Sequence, residues 1–374
     1  MEINIESLLK LMVQKGISDI HFKADAPPAL RIHGKLIPAA NIPKLSAADV
    51  KKLAGQLMSS EQAKRFESEL ELDLAYSLSG VSRFRVNVYR QRGSIGITLR
   101  LVPLTVRTFD DLNLPKEPLI KLSQESRGLI LFAGITGAGK TTSMNSFVQY
   151  LNENCQHRIV TIEDPIEVYH QDVKSAIVQR EVGHDTLSFG NALKHVLRQH
   201  PDVVVIGEMR DFETIQAAIS AAETGHLVLS TIHTMDAVQT VDRIVDAYPA
   251  HQHDQVRQQL GNALKGVIGQ RLISAADGRG RYPATELLVG NSLVRRSITE
   301  GKPAELYKAL ENGAYYGMHT FDQDLIRLVK EKKIDQKTAL DNATNPEDMT
   351  VKLRGDSGGL GDAPAAQGVA GAGQ

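Results

Sequence analysis

Apolar and polar positions alternate along this chain in two successive regimes. In the first, Ile3, Ile5, Leu8, Leu9, Met12 and Val13 recur at helical spacing and stop at Gly16, which predicts an amphipathic opening helix. Strand-like runs follow at Asp19–Lys23 and Ala29–Gly34, with a turn at Gly34-Lys35. Ser46 reads as the N-cap of a helix carrying Val50, Leu53 and Leu57, and a second helix spans about Ser60 to Glu69. Three further strands, Leu72–Ser79, Ser82–Gln91 and Ser94–Val102, are separated by Gly80 and Gly93 as in a meander. Within Ser82–Arg90 a period of two puts Phe84, Val86 and Val88 on one face and Arg83, Arg85 and Asn87 on the other, and Arg100 ends an alternating strand in the same way. These runs describe a small α+β domain over residues 1–102, its helices set apart from an antiparallel sheet. Its arginine face suits solvent or, as arginine fingers, the phosphates of a neighbouring subunit's ligand. Residues 103–126, punctuated by Pro103, Pro115 and Pro118, read as a linker and hinge.

In the second regime, from residue 127, apolar strand-like runs at Gly128–Ala133, Arg158–Glu163, Asp202–Gly207 and Leu227–His233 alternate with helical patterns at 141–152, 188–199, 213–223 and 236–247. That alternation predicts a mostly parallel sheet with helices on its faces and ligands at the carboxyl ends of the strands. Val256, Leu260, Leu264, Val267 and Ile268 are spaced as one long amphipathic helix before Gln270-Arg271-Leu272. A turn at Asp277–Gly280 leads to a strand at Ala284–Val289, which closes a core of 127–290. Helices near 291–300, 303–312, 320–332 and 335–342 make a C-terminal helical region over 291–354. From Gly355 the chain is rich in glycine and alanine, and 355–374 read as a disordered tail. Gly355-Asp-Ser-Gly-Gly359 imitates a serine-protease signature there, but such a triad needs a folded oxyanion hole and a placed histidine.

Composition narrows the picture. With 374 residues, of which 42% are hydrophobic, there is material for two to three domains with sizeable cores. The formal net charge of −1 does not call for a nucleic-acid partner. The single cysteine, Cys155, excludes an intramolecular disulfide and a cysteine zinc cluster, and suits a reducing cytoplasm. Met1-Glu-Ile-Asn lacks the basic start of a signal peptide, and no stretch approaches the roughly 18 apolar residues of a membrane span. Membrane association would therefore run through a partner. His251-Gln-His253 is a weak metal hint without convincing further ligands.

The chemistry is concentrated at the strand ends. Gly134-Ile-Thr136-Gly137-Ala138-Gly139-Lys140-Thr141, with Thr142 behind it, fits G-x-x-x-x-G-K-[ST] and stands between an apolar strand and a helix carrying Met144, Phe147, Val148 and Leu151. Glycines let the backbone N–H groups converge on phosphate oxygens, and the helix N-terminus adds its dipole. Lys140 can stand between the β- and γ-phosphates, and the Thr141 hydroxyl can bind Mg²⁺. The next strands end in Thr161-Ile-Glu163-Asp164-Pro165-Ile-Glu167, in Gly207-Glu208-Met-Arg210-Asp211 and in His233, with His226 just before the last strand. Carboxylates beside a phosphate site can hold Mg²⁺, directly or through water, and orient an attacking water.

This set resembles the secretion ATPase superfamily that powers type IV pili and type II secretion. The Walker A loop corresponds to Gly134–Thr141, the Asp box to Thr161–Glu167, an atypical Walker B to Val203–Asp211 and the His box to Gly225–Thr234. Arg180-Glu-Val-Gly183, Leu197–Asp202, Gly207–Asp211 and Met318-His-Thr-Phe-Asp322 match the PilT/PilU branch, the retraction ATPases of twitching motility, and the resemblance covers about residues 1–354. It implies an α/β fold with a RecA-like P-loop core, a smaller PAS-like N-terminal domain and C-terminal helices. It also implies a cytoplasmic homohexamer that binds ATP with Mg²⁺ between subunits at the inner face of the cytoplasmic membrane. Glu208 would be the catalytic glutamate, Glu163 would support Mg²⁺ and water, and His233 with His226 would sense the γ-phosphate. Arg85 and Arg100 match the family's nucleotide-facing arginines. Hydrolysis would move the N-terminal domain against the core, and an inner-membrane platform protein of the PilC kind would receive the motion.

Extension and type II secretion relatives usually carry a tetracysteine zinc module, which one cysteine excludes, and longer N-terminal regions. Both features favour retraction. Leu293-Val-Arg-Arg-Ser-Ile-Thr-Glu300 keeps the pattern but not the letters of a PilT motif linked to retraction, so a main motor and a PilU-like accessory paralogue acting beside it both stand. The rival readings are a nucleic-acid translocase on the same core, and a nucleotide-binding scaffold without turnover, against which Lys140 and Glu208 speak.

Overall fold

Short hydrogen-bonded strands built from the apolar runs form two separate sheets in a computed structural model of the chain, which describes residues 4–32, 35–39, 42–78, 80–102 and 105–356. The chain divides into two compact units, Met1–Val106 with Pro165–Asp172, and Arg107–Asp164 with Val173–Gln374.

The first unit contains α1 (Ile5–Gln14), β1 (Ile17–Phe22), β2 (Ala29–Ile32), β3 (Lys35–Pro38), α2 (Ala47–Leu57), α3 (Ser60–Glu69), β4 (Glu71–Leu78), β5 (Ser82–Gln91) and β6 (Ser94–Leu101). Its sheet runs β3-β2-β1-β6-β5-β4, antiparallel at every pairing. Leu9, Met12, Val50, Leu53 and Phe66 from the helices pack on Ile20, Phe22, Phe84, Val86, Val88 and Leu99 from the strands. The Ser46 hydroxyl accepts from the Asp49 N–H and the Asp49 carboxylate accepts from the Ser46 N–H; Ser59 and Gln62 repeat the arrangement at α3. Strand β3 was not anticipated. Its four residues are exposed, so it carries no burial signal, and Lys35, expected in a turn, begins it; Gly34 lies outside the described residues.

The second unit contains α4 (Lys116–Leu122), β7 (Gly128–Ala133), α5 (Lys140–Asn154), β8 (Arg158–Glu163), β9 (Ala176–Glu181), α6 (Phe189–Val196), β10 (Val203–Ile206), α7 (Phe212–Glu223), β11 (Leu227–Ile232), α8 (Ala237–Asp246), α9 (His253–Ala263), β12 (Leu264–Ser274), β13 (Arg281–Val289), α10 (Ser292–Thr299), α11 (Pro303–Glu311), α12 (Phe321–Lys330), α13 (Gln336–Asn342) and α14 (Pro346–Asp356). The sheet runs β13-β12-β7-β11-β10-β8-β9, parallel except for the β12–β13 pair. This is the expected α/β core with a parallel sheet. Strand β7 is buried on both faces: Leu129, Leu131 and Ala133 join residues of α6 to α11, whereas Ile130 and Phe132 join α4 and α5. Such two-sided burial is why the core strands read as continuous apolar runs.

The long helix expected through Ile268 is corrected. Helix α9 ends at Ala263, and Leu264–Ser274 form β12. Val267 packs in one core and Ile268 in the other, an arrangement available to consecutive residues of a strand between two helical layers. The spacing of Val256, Leu260 and Leu264 is helical, and Ile268 continues it by coincidence. In the segment 103–126, read as a linker, Phe109, Leu114, Leu119 and Leu122 are buried with Phe132 and Phe147, and α4 forms there. Helix α14 includes Gly355 and Asp356, the first two residues of the stretch read as a tail; 357–374 lie outside the described residues. A further cluster joins Phe321, Leu325, Leu328, Met349 and Leu353 of the C-terminal helices to Ile273 and Ala284 of β12 and β13.

Candidate active site

The phosphate-loop pattern lies at the carboxyl end of β7. Ala133 ends the strand, the loop follows, and Lys140 opens α5 with Gly139 as its N-cap at φ 89°. Gly137 has φ 80°. Both angles favour glycine, which explains Gly139 in the pattern and Gly137 at one of its unspecified positions. The Lys140 side chain is buried, and its ammonium donates to the carbonyls of Gly134 at 2.9 Å and Ile135 at 3.0 Å. Burial pulls its pKa below the usual lysine range, and the Glu208 carboxylate opposes that shift. Thr141 and Thr142 occupy the first turn of α5, next to Lys140.

Two strands away, the chain leaving β10 is fixed on both sides. The Gly207 N–H donates to Ile162 O at 2.8 Å and the Met209 N–H to Thr231 O at 3.0 Å. Between them, Glu208 accepts at one oxygen from His233 Nε2, 3.1 Å away, and at the other from Arg210, 2.7 Å away. His233 Nδ1 stands 3.5 Å from the hydroxyl of Thr136 in the loop. A chain of polar contacts therefore runs from Thr136 through His233 to Glu208 and Arg210, with the Glu208 carboxylate mostly shielded at 17% exposure. Such a chain holds a carboxylate in one orientation.

Glu163, at the end of β8, is buried. Its carboxylate accepts from the Thr161 hydroxyl at 2.6 Å and from Gln179 Nε2 at 3.0 Å. A side chain on Gly207 would come within 3.4 Å of the Glu163 Cα, so the backbones carrying Glu163 and Glu208 lie side by side. Gln179 was not singled out from the sequence. It sits on β9, an edge strand whose mostly half-buried residues give a weak period; its place just before Arg180-Glu-Val-Gly183 was the available signal. Among the described residues, no group of three or more His, Cys, Asp or Glu side chains could hold a metal ion. A hydroxyl at Thr141 and carboxylates at Glu163 and Glu208 are hard oxygen donors, the set that suits Mg²⁺ when substrate phosphates and water complete the shell. The weak hint at His251 and His253 goes elsewhere: His253 Nε2 pairs with Tyr248 O at 2.9 Å.

Within its own unit the structure places one expected site residue, His226, away from this group, and two others, Arg85 and Arg100, belong to the first unit. His226 precedes β11, and Leu227 pairs with Gly128, so His226 lies at the amino end of the sheet. Its ring bonds Ala221 O at 3.1 Å. The six residues of β11 put about 20 Å between it and the loop, because parallel strands bring like ends together. Arg85 and Arg100 belong to the first unit, where they face each other across β5 and β6. Arg100 donates to Asp19 at 2.7 Å, and Arg31 stands 3.5 Å from the other oxygen. Burial pushes the Asp19 carboxyl up, but the hydrogen bonds from Arg100 and Ser18 outweigh it and hold the pKa below the usual carboxylate range.

The sequence model of the family described as type II/IV secretion system protein matches residues 1–353. The chain is 41% identical over 347 residues to a Pseudomonas aeruginosa protein named type IV pilus retractation ATPase PilT, covering 93% of this chain and 100% of that one. It is 39% identical over 352 residues to the type IV pilus ATPase PilU of the same organism, covering 94% and 92%. Its structure is similar to a crystal structure of the pilus retraction motor PilT with bound ADP, at a TM-score of 0.84 and 41% identity, over 93% of this chain and 99% of that one. No helix among the described residues is long and apolar enough to cross a membrane.

Proposed function

The chain belongs to the PilT/PilU family of type II/IV secretion ATPases, and on that premise we propose that it is an ATP-hydrolysing motor that drives type IV pilus retraction and twitching motility. The observation that carries the reading is the Glu208 carboxylate, fixed between His233 and Arg210 and linked through His233 to the loop that holds Lys140. In this reading the loop N–H groups of Gly134 to Thr142 and the Lys140 ammonium bind the β- and γ-phosphates of ATP. Glu208 orients the attacking water and receives its proton. His233 keeps the carboxylate aimed and reports contact at the γ-phosphate through Thr136. Thr141, with Glu163 beside Glu208, would hold Mg²⁺, which when bound offsets charge growing on the phosphate oxygens.

Arg85 and Arg100 serve, in the same proposal, a nucleotide held by a neighbouring copy in a homohexamer, the assembly that the family resemblance implies. The pilus platform protein of the inner membrane, of the PilC kind, is the proposed recipient of the motion, at the cytoplasmic face. A paralogous retraction ATPase is a second proposed partner.

The test combines enzymology and imaging. Lys140→Ala should abolish nucleotide binding, whereas Glu208→Gln should bind ATP with near-normal affinity and lose about 100-fold or more in kcat. Cells expressing only Glu208→Gln should carry many labelled pili that do not retract. Wild-type turnover by Glu208→Gln would sink the catalytic assignment, and loss of all pili would reassign the motor to extension. Normal pili with weaker retraction would establish the accessory role.

A further inference from the structure

We propose that Gln270 is a positioning residue of the nucleotide site: from beneath, it holds the phosphate loop and the first turn of α5 in place on the sheet. The proposal rests on the ATPase reading above and adds a residue that no phosphate-loop pattern contains.

Strand β12 runs parallel to β7 and pairs Gly269 with Ala133. Gln270 therefore stands beside Gly134, where β7 gives way to the loop. It is buried, and its Oε1 accepts a 2.7 Å hydrogen bond from the Ser143 hydroxyl, itself buried one turn into α5. The same residue closes on the loop at two more points. A side-chain carbon on Gly139 would lie 2.7 Å from Gln270 Nε2, and one on Gly134 would lie 2.6 Å from the Gln270 carbonyl oxygen. Both ends of the glycine pattern thus rest on one residue from a strand far along the chain. At Gly134 the atom met is a backbone carbonyl, so this approach requires glycine; at Gly139 the φ of 89° requires it, and a larger residue would also push on the Gln270 amide.

The strand end is held from its other side too. Arg271 lies over the Phe321 ring at 4.0 Å and donates to Asn342 O at 3.2 Å. Consecutive strand residues point to opposite faces, so Gln270 serves the loop while Arg271 ties the strand to α12 and α13. A buried amide is tolerated where its polar atoms are used. An apolar side chain of the same size would fill the space but leave the buried Ser143 hydroxyl without this acceptor. The loop N–H groups must converge on phosphate oxygens, and small displacements there cost binding. The expected phenotype is weaker ground-state and transition-state binding together, which raises KM and spares kcat.

The experiment compares wild type, Gln270→Met, Ser143→Ala and the double variant as purified full-length chains. ADP affinity, ATPase KM and kcat, and nucleotide-free melting temperature are measured for each. Gln270→Met keeps the volume and removes the acceptor. Each single variant should raise the ADP Kd and the KM for ATP about fivefold to tenfold, the range of one lost neutral hydrogen bond, and lower kcat less than about twofold. The double variant should be no worse than the poorer single one, because both remove the same bond. Unchanged Kd and KM, a fall in melting temperature with unchanged affinity, or additive losses would each overturn the proposal. A wild-type chain that neither binds ADP nor hydrolyses ATP would instead sink the ATPase reading, before any variant is compared.

Discussion

Glu286 shows how burial sets the chemistry of a single residue outside the site. It lies buried on β13, and its carboxylate accepts from the Ala237 N–H at the start of α8 at 2.8 Å. Burial pushes its pKa up to about 7, with Asp236 acting in the same direction and the Ala237 N–H and Arg271 against it. In the unfolded chain the group ionises near 4.5. Between those values the folded protein holds more of the proton than the unfolded chain does, so this residue's contribution to stability falls as pH rises through the window. Glu286→Gln removes the titration. The melting temperature of wild type should therefore decline relative to the variant between about pH 4.5 and 7, and parallel profiles would refute the assignment. Lys140, Glu208 and His233 were legible as candidates because each follows an apolar strand whose end is a ligand position. Gln179 was not, because what selects it is a hydrogen bond to Glu163 from a neighbouring strand.

Elements were legible where their period matched their burial. Strands β7, β8 and β5, with helix α3, occupy the residues their patterns predicted: β7 and β8 are buried runs, β5 alternates buried with half-buried residues, and the Ser59–Gln62 capping box starts α3. Strand β12 did not read as a strand because its last helical-looking position, Ile268, is buried on the face opposite to Val267. Gly266 gives a test. A side-chain carbon there would lie 2.9 Å and 3.3 Å from the Leu122 methyl groups of α4. Gly266→Val should destabilise the chain by about 1–3 kcal/mol, the usual cost of overpacking. Combined with Leu122→Ala it should destabilise less than the two changes added together, because the smaller side chain yields the space. Denaturant unfolding of the four proteins measures the coupling, and strict additivity would show that α4 does not press on β12.

At the scale of the whole molecule, the arginine face of the first unit and the phosphate loop of the second are carried by separate compact units. If Arg85 and Arg100 act on a neighbour's nucleotide, a chain lacking both arginines and a chain carrying Lys140→Ala should each be inactive alone. Mixed under conditions that exchange subunits, they should recover measurable ATPase activity, since some interfaces then combine an intact loop with intact arginines. No recovery in mixed assemblies of proven composition would place the arginines' action within one chain or remove it from catalysis.

The sequence by itself determined the parts whose cause is local. A strand, a glycine loop and a lysine at a helix start are neighbours in the chain, and two-sided burial or strict alternation writes each core strand into consecutive residues. It also determined the family, because several strand-end motifs occur in one order. The tertiary structure decided what depends on which strand lies beside which. It turned an apparent helix into β12 between β7 and β13, and joined Glu208 to His233 and Glu163 to Gln179. It put Gln270 under the loop and left His226 at the far end of its own strand. Hydrogen bonds between distant segments, and burial against two layers at once, leave no periodic trace in either partner, and so only the assembled sheet reveals them.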